Sequence, residues 1–542
     1  MPFAPKIRPD FACLSSLVFA ATLFGCGSTS VSKPADAAAD APVANDTANP
    51  DVGLDTAQPD TAVDLAVVVD AARPDVGLDA PQTDAAVDAG EAGDVGSLPD
   101  SGGGDGGSGV DGGGGDVGPS TACSSLVNPL YIMSGDTQVP VLKTLGKALR
   151  QSANPITLVW YATGSCTIID ALYNGTPLTQ VPSYIPSDPT WDPNTGAVPS
   201  CALESGGRNV DIGIPIVFPA ACSSVAPPAD LGAFKGPVQS MLFVAPHTAS
   251  SLAISSEEAA LVFGTGPTAN IAPWIDQSFY FIRTPTKGVE VSLGYLIGVP
   301  AAKWIGQQIN ASNDVATDVA TSTQPEKTIG ILGSETYDSA TNRANLKALA
   351  FQAVNQTNGY LPDSTATAFD KRNLRDGHYV AWAHVFYLTK VSSFDGGTAA
   401  PVNPNAKLFI DILTNTADPG IPSGLDPVAL VAQKGIVPLC AMTVTRSTEG
   451  GTLSLFAPPD PCGCYYESKL STGAVPASCV TCTGSASCTG GTTCRHGYCE
   501  ADDGRTSLSD CGALTSGATH VQIINNTCAA GARFQADHIP TP

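Results

Sequence analysis

The sequence is poor in basic residues and lacks common catalytic motifs. Its 542 residues carry 26 lysines and arginines against 50 aspartates and glutamates, and the basic residues form no stripe. A protein that binds nucleic acid needs such a stripe to neutralise phosphates, so the composition argues against that partner. Gly-x-Ser-x-Gly, His-Glu-x-x-His and the phosphate-loop lysine pattern are also missing. We therefore expect a protein that is not an enzyme and needs no cofactor or metal.

The sequence also lacks an apolar run long enough to span a bilayer at its start. The run Leu14–Phe24 is too short for a stable membrane helix and follows two basic residues, which is typical of a secretory signal. It ends in Leu23-Phe24-Gly25-Cys26, which resembles the bacterial lipobox. We predict a signal peptide over 1–25 and lipidation of Cys26. The alternative is an ordinary signal peptide with an incidental cysteine.

These features predict a bacterial cell-envelope lipoprotein, attached to the membrane through Cys26. The next residue is Gly27, not the aspartate that retains many enteric lipoproteins in the inner membrane. The sequence therefore favours the outer membrane, with the protein facing the periplasm or the cell surface.

Basic and large apolar residues are scarce in residues 26–122. From Gly27 to Ala122, 18 acidic residues stand against Lys33 and Arg73, so about two thirds of the net charge of −24 lies here. Such a segment cannot bury enough apolar surface to offset the entropy of ordering. We predict a disordered tether rich in Asp, Ala, Pro and Gly. An acidic cation-binding tract is the alternative, although the aspartate spacing forms no calcium loop.

The sixteen cysteines fit an exported protein. Removing Cys13 with the signal and assigning Cys26 to lipid leaves an even number that can pair in an oxidising compartment. Nine of them follow one another closely from Cys462 onward, so we predict a small disulfide-rich module over 446–542. The spacing Cys479-x-x-Cys482 leaves a zinc ribbon as the alternative.

Strand and helix patterns alternate over residues 123–445. Leu130–Leu149 and Ile156–Leu172 each read as a buried strand, a loop of small residues and a helix. The alternation is too long for one core, so we predict an α/β fold with two lobes. Lobe 1 covers about 123–240 and 385–445, and lobe 2 about 241–384. Further predicted elements include strands at Asn209–Ile214, Ser278–Arg283, Thr328–Leu332 and Tyr379–Leu388, and helices at Gly288–Ile297, Asn342–Gln352, Asn405–Leu413 and Pro427–Gln433.

The two opening units predict an anion site. The first N–H groups of a helix have no partner inside it, and the helix dipole favours negative charge there. Ser134, Thr137 and Ser165 supply hydroxyls, while Gly164 lets a ligand approach the backbone. The carboxyl ends of neighbouring parallel strands meet at one edge, where open α/β sheets bind ligands. The alternative is that these hydroxyls only cap helices.

The order of several motifs resembles that of type 2 periplasmic solute-binding proteins, specifically the phosphate-binding proteins of ABC phosphate uptake systems. The resemblance covers most of 128–441. It rests on Leu130–Leu149, Thr163-Gly164-Ser165, Val210-Asp211-Ile212-Gly213, Ile254–Glu258 with Val262-Phe263-Gly264, Arg283 followed by Gly288, Lys327–Gly330 and Lys434–Leu439.

The resemblance implies a two-lobed clamp that closes on a small dehydrated oxyanion, with phosphate as the expected solute and an ABC permease as a partner. Arg283 would pair with the anion as a planar fork. Asp211 would accept the proton of a hydrogen phosphate, which a fully ionised sulfate lacks. Gly288 would expose the start of a helix in the second lobe. The alternatives are an interlobe ion pair for Arg283 and a turn cap for Asp211.

The sequence departs from the family where Lys287-Gly288-Val289 replaces Ser-Gly-Thr. Two hydroxyls are lost and a cation is gained, so Lys287 joins the predicted ligand set, with a solvated loop charge as the alternative. Cys166 stands where the family has a small residue and is expected to pair with Cys201 or Cys222. These departures and the cysteine-rich module support a second hypothesis, an envelope interaction or sensing lipoprotein that uses the fold without transport.

Overall fold

The structure is a computed structural model. It describes residues 121–501, except 355, 357, 393–398, 415–420, 471 and 473–474, together with the backbone of Arg533–Phe534. The predicted signal peptide, the lipidation of Cys26 and nearly all of the tether lie outside these residues. In the described part, no helix combines the length and the apolar character that crossing a membrane requires.

Strands and helices alternate along the chain. Up to the first long strand they are β1 (Pro129–Ser134), α1 (Val139–Arg150), β2 (Thr157–Ala162), α2 (Ser165–Asn174), β3 (Ser183–Tyr184), β4 (Ile212–Ile214) and β5 (Leu231–Pro246). The next are β6 (Ala253–Ser255), α3 (Ser256–Thr265), β7 (Tyr280–Arg283), α4 (Gly288–Ile297), β8 (Gln307–Ile309), α5 (Ser312–Ala320), β9 (Ile329–Gly333), α6 (Ser334–Tyr337), α7 (Ala340–Asn345), β10 (Leu346–Ala348), β11 (Ala350–Gln352), β12 (Gly359–Tyr360), α8 (Arg372–Arg375) and β13 (Trp382–Lys390).

The remaining elements follow β13. They are α9 (Pro404–Leu413), α10 (Pro427–Ala432), β14 (Val444–Thr445), β15 (Ser454–Leu455), α11 (Gly463–Ser468), β16 (Thr492–Arg495), β17 (Tyr498–Ala501) and β18 (Arg533–Phe534). Strands β14 and β15 form one small antiparallel ladder, and β16 and β17 form another.

One large sheet organises the molecule, with strand order β3-β2-β1-β4-β13-β5-β9-β7-β8 and β10 also pairing with β5. At one end β1 runs parallel to β2 and β4. At the other end β7 runs parallel to β8 and β9. The two parallel sets are joined by β5 and β13, which pair antiparallel to each other and to their neighbours. The sheet therefore has two α/β halves and two crossover strands.

Strand β5 belongs to both halves. Its residues 231–240 pair with β13, and its residues 241–244 pair with β9. From Gly236 to Pro246 the strand is buried without interruption, as expected for a strand covered on both faces. This topology confirms the predicted α/β, two-lobed fold, with lobe 1 on the β1 side and lobe 2 on the β7 side.

The sequence explains where the main helices begin and end. Helix α1 buries Val141, Leu142, Leu145 and Leu149, one apolar face at helical spacing. Helix α3 begins with a capping box, in which Ser255 and Glu258 bond each other's backbone N–H groups. Helix α2 ends at Gly175, whose φ of 64° is accessible to glycine without strain.

The predicted helix Asn342–Gln352 is wrong. The helix α7 ends at Asn345, and the chain continues as β10 and β11. Strand β10 pairs with the end of β5, and β11 pairs with β6 and β12. The apolar residues of this segment satisfy strand as well as helix periodicity, and pairing across the sheet decides between them.

Disulfides join the C-terminal region to itself and to the sheet domain. Cys440–Cys462 lies at the junction, and Cys464–Cys479, Cys482–Cys494 and Cys488–Cys499 follow. This confirms the predicted disulfide-rich module. Because Cys479 and Cys482 belong to two different disulfides, the zinc-ribbon alternative is not supported. The predicted module's last cysteines, Cys511 and Cys528, lie outside the described residues.

We expect Phe243→Ala to destabilise the protein by about 3–5 kcal/mol, as is typical when a buried aromatic ring is deleted. Phe243 lies on β5 with no exposed surface, and its ring contacts those of Phe263 and Phe351 at 5.7 and 5.6 Å. Urea unfolding would measure the loss. Leu261→Ala, at an exposed position on α3, should change stability by less than about 0.5 kcal/mol, and equal effects would contradict the packing described here.

Candidate functional site

The candidate site is a cleft between the two lobes, at the carboxyl ends of β1, β2 and β7. Lobe 1 contributes the loop after β1 and the start of α2. Lobe 2 contributes Arg283, the last residue of β7, and the start of α4. The lining residues are Gly135, Asp136, Thr137, Thr163, Ser165, Ile216, Arg283, Lys287, Gly288 and Val289.

The lobes touch directly across this cleft, and two glycines allow it. A Cβ on Gly164 would lie 2.3 Å from Thr286 Oγ1, and one on Gly288 would lie 2.7 Å from Ser165 Oγ. The Cys166 N–H also donates to the Thr286 carbonyl at 3.1 Å. The remaining cavity measures about 10 Å³, roughly the space of one water molecule. The structure therefore shows the two lobes closed against each other.

An internal carboxylate lies between the two cations of the cleft. Asp136 Oδ2 accepts from Arg283 Nη2 at 2.8 Å, and its Oδ1 lies 3.6 Å from Lys287 Nζ. The N–H and hydroxyl of Ser312 also donate to Asp136 Oδ2, each at 3.1 Å. Asp136 belongs to lobe 1, whereas the other three residues belong to lobe 2. The contact is therefore an ion pair between lobes, the alternative that the sequence left open for Arg283.

Arg283 is fully buried, and each nitrogen of its guanidinium has a hydrogen-bond partner. Besides Asp136, it donates to the carbonyls of Ile309 and Asn310 and to the hydroxyl of Ser312. Burial raises the pKa of Asp136, but the charges of Arg283 and Lys287 outweigh burial and hold that pKa below its usual value. Burial lowers the pKa of Lys287, and Asp136 partly offsets this. The cleft therefore concentrates positive charge around one carboxylate.

Two further carboxyl groups lie behind the cleft. Glu290, in the first turn of α4, has no exposed surface, and neither carboxyl oxygen has a hydrogen-bond partner of good geometry in the described part. Burial raises the pKa of Glu290 to about 8, although the backbone and charge of Arg283 oppose the shift. Burial likewise raises the pKa of Glu335, at the start of α6, to about 8. Glu335 retains some accessible surface.

A chain of hydrogen bonds links Glu335 to the other lobe. Gln138 of lobe 1 donates to Gln239 Oε1 at 2.7 Å, and Gln239 Nε2 donates to Glu335 Oε2 at 2.5 Å. Gln239 lies on the crossover strand β5, so the chain passes through the hinge. Gln239 thus connects a side chain of lobe 1 to the carboxyl group of Glu335.

The structure brings most of the predicted ligand residues together. Thr137, Ser165, Arg283, Lys287 and Gly288 line the cleft, and Ser134 and Gly164 lie next to it in the same loops. Their hydroxyls are used differently: Ser134 Oγ donates to the Gly135 carbonyl and Ser165 Oγ accepts from the Ile216 N–H. Thr137 Oγ1 is buried without a hydrogen-bond partner in the described residues.

Asp211 lies elsewhere. Its carboxylate accepts from the Tyr131 N–H at 2.9 Å and from Asn403 Nδ2 at 3.0 Å. The predicted strand Asn209–Ile214 begins only at Ile212, so Asp211 stands at the start of β4 rather than at its carboxyl end. Tyr131 lies three residues before Ser134, roughly 10 Å along an extended strand. Asp211 thus fixes strands instead of facing the cleft.

The sequence prediction missed Asp136, Glu290 and Glu335. Asp136 stands inside the predicted anion loop, where an acidic residue is unexpected because it repels an anion. Glu290 is the one charged residue of the otherwise apolar helix sequence GVEVSLGYLI, a pattern that signals a buried functional or paired group. Glu335 follows the strand IGILG in the sequence Gly-Ser-Glu-Thr, which resembles the sequences after the other strands of the cleft.

Comparison with known proteins gives only distant likenesses. No family model matches the chain, and no curated protein matches it. An ABC-type phosphate transport receptor from Vibrio cholerae is 11% identical over 57% of this chain and 100% of its own, with a TM-score of 0.36. PstS from Borrelia burgdorferi is 12% identical over 57% and 98%, with a TM-score of 0.31. The reduced OxyR regulatory domain from Pseudomonas aeruginosa is 14% identical over 52% and 95%, with a TM-score of 0.29.

We expect Glu290→Gln to flatten the pH dependence of stability between about pH 5 and 8. The folded protein holds the Glu290 proton until a pKa of about 8, whereas the unfolded chain releases it near the ordinary glutamate value. Stability therefore falls as pH rises through this window, by up to about 1.4 kcal/mol per pH unit for each such group. Glu335 adds a second contribution of the same sign, which the variant leaves in place.

Urea unfolding at a series of pH values would measure this slope. Glu257→Gln is the matched control, because Glu257 lies exposed in the first turn of α3. The control should keep the wild-type slope. A Glu290→Gln variant with the wild-type slope would show that Glu290 is ionised in the folded protein.

Proposed function

We propose that the chain is an extracytoplasmic solute-binding protein whose two lobes close on a small oxyanion, with phosphate as the first candidate. The observation that carries the proposal is the convergence of Arg283 and Lys287 with the starts of α2 and α4 at one interlobe cleft. A buried guanidinium, an ammonium and two helix N-termini form a strong site for a compact anion. The hydroxyl of Thr137 is available as a further donor.

Binding requires the lobes to open, because about 10 Å³ cannot hold a polyatomic anion. In the closed form Asp136 pairs with Arg283 and Lys287, so its carboxylate competes with an entering anion for these two cations. A ligand that carries a proton can donate it to Asp136 and remain beside it. A fully ionised sulfate cannot, and would meet a like charge. In this proposal Asp136 takes the selective role that the sequence suggested for Asp211.

The proposal includes export and anchoring. The described residues contain six disulfides, which fits an oxidising compartment outside the cytoplasm. We propose the lipobox cysteine Cys26 as the membrane anchor, residues 26–122 as the tether, and 123–445 as the binding domain with the lobe limits predicted from the sequence. An ABC permease that takes up the captured anion is the corresponding partner.

A second candidate is a sensing or interaction lipoprotein that uses the same clamp without transport. The observation that favours it is the closed cleft with Asp136 already paired to both cations, which a transport protein must reopen at each cycle. The disulfide-rich module supports it too, since Arg375 of the lobe region pairs with Glu467 of the module at 2.7 Å. The module therefore offers a second surface, joined to the sheet domain by this ion pair and by the Cys440–Cys462 disulfide.

We expect phosphate to bind the purified protein and Lys287→Gln to weaken this binding by about 10- to 100-fold, because a charge-assisted hydrogen bond contributes about 1.5–3 kcal/mol. Titration calorimetry with phosphate, sulfate, molybdate and citrate would measure the affinities. Lys303→Gln, at an exposed lysine on the same lobe, is the control and should bind normally. If none of the four anions binds, oxyanion capture is refuted and the second candidate remains.

We further expect Asp136→Asn to reduce the preference for phosphate over sulfate, mainly because sulfate binding improves once the like charge is removed. The ratio of the two dissociation constants at neutral pH is the measurement. Asp314→Asn, at an exposed position in the first turn of α5, should leave that ratio unchanged. A ratio unaltered in Asp136→Asn would remove Asp136 from the selective role.

A further inference from the structure

The face of the crossover strands opposite the cleft holds a second cluster of buried polar groups. Side chains alternate between the faces of a strand, so Gln239 points to the cleft while its neighbour Ser240 points away. Ser240 pairs in register with Trp382 of β13. His384 lies two residues further on the same face, with its ring against that of Trp382 at 5.4 Å. Both hinge strands thus contribute to this cluster.

Arg446 completes the cluster from the segment after β14. Its guanidinium stacks over the Trp382 ring at 3.9 Å, and its Nη2 donates to the Val380 carbonyl at 2.8 Å. Within the described residues, its Nε and Nη1 have no hydrogen-bond partner. Trp382 Nε1 and Ser240 Oγ also have none, and His384 Nδ1 has none of good geometry, although the Gly236 backbone acts on its ring. All four side chains belong to residues that are at most 1% exposed.

So many buried donors without acceptors are unusual, because each costs about 1–3 kcal/mol when it is left unpaired. The indole N–H and the guanidinium can only donate. A guest that satisfies them must therefore accept hydrogen bonds from several directions at once. Arg446 carries a full charge as well, and burying a charge is more costly still unless it is fully paired.

The charges around the cluster sum to a positive value. Lys235 donates to the Arg446 carbonyl at 3.1 Å and lies over the Phe218 ring. Glu449 is the acidic group that acts on Arg446, but its oxygens accept from the Phe218 N–H and the Ser292 hydroxyl. Burial raises the pKa of Glu449. Burial, with Lys235 and Arg446, lowers the pKa of His384 to about 3, so this ring is neutral.

We propose that Arg446, Trp382, Ser240 and His384 form an internal binding site for a monovalent halide, with chloride as the natural occupant. A halide accepts hydrogen bonds from any direction and supplies the missing negative charge. The ring packing limits the size of any guest, since Phe218 contacts His384 and Phe386 at 5.9 and 4.9 Å, and a single atom is the smallest guest. Because β5 and β13 both contribute donors, the ion ties the two crossover strands together at the hinge.

The test uses the full chain at constant ionic strength, with chloride replaced stepwise by gluconate, which is too large for the site. We expect a saturable rise in melting temperature of a few degrees with chloride or bromide. Arg446→Met, which keeps an apolar chain against Trp382, should abolish that rise. Arg208→Met is the matched control, because Arg208 stacks on Tyr131 at 5.1 Å but is exposed; it should respond like the wild type.

A second measurement keeps the proposal testable if Arg446→Met does not fold. Crystals grown in bromide should show an anomalous peak beside the Arg446 guanidinium. A peak absent there, with ordered water in its place, would overturn the proposal, as would equal melting temperatures in chloride and gluconate. Lys287→Gln should keep the halide response, so failure of the cleft proposal and failure of this one give different results.

Discussion

The interaction on which the structure depends is the ion pair between Asp136 and Arg283. A guanidinium without exposed surface must find a counter-charge, and here that charge belongs to the opposite lobe. Removing one partner of a buried pair typically costs about 3–5 kcal/mol, because the other charge is left uncompensated. The pair therefore favours closure in the absence of a guest. Any anion that binds must replace this interaction or share it.

The crossover strands impose the second constraint. Alternation along β5 sends Gln239 to the cleft and Ser240 to the back of the hinge, so the two faces of one strand serve two different polar environments. Because β5 and β13 connect the lobes, a movement of one lobe relative to the other would bend these strands. Such bending would displace side chains on both faces of each strand. The polar groups on the two faces are thus separated by a single residue step along β5.

Much of the fold and part of the site follow from sequence patterns. The strand, loop and helix units around Thr137, Ser165 and Gly288 have strong local signals, so their convergence was predictable. Asp211 was misplaced because strand ends are weakly encoded, and a shift of three residues moves a side chain from one end of a strand to the other. Asn342–Gln352 was misassigned because pairing with distant strands overrides local helix periodicity. The closed state and the pairing of Asp136 depend on how two lobes meet, which no local pattern contains.

The disulfide between Cys166 and Cys222 makes one corner of the cleft depend on redox conditions. Cys166 directly follows Ser165, so this covalent link holds the first turn of α2 against the chain that follows β4. Under reducing conditions the link is open, and the first turn of α2 loses this restraint. Because Ser165 lines the cleft, the shape of the cleft would then depend on the redox state of its surroundings.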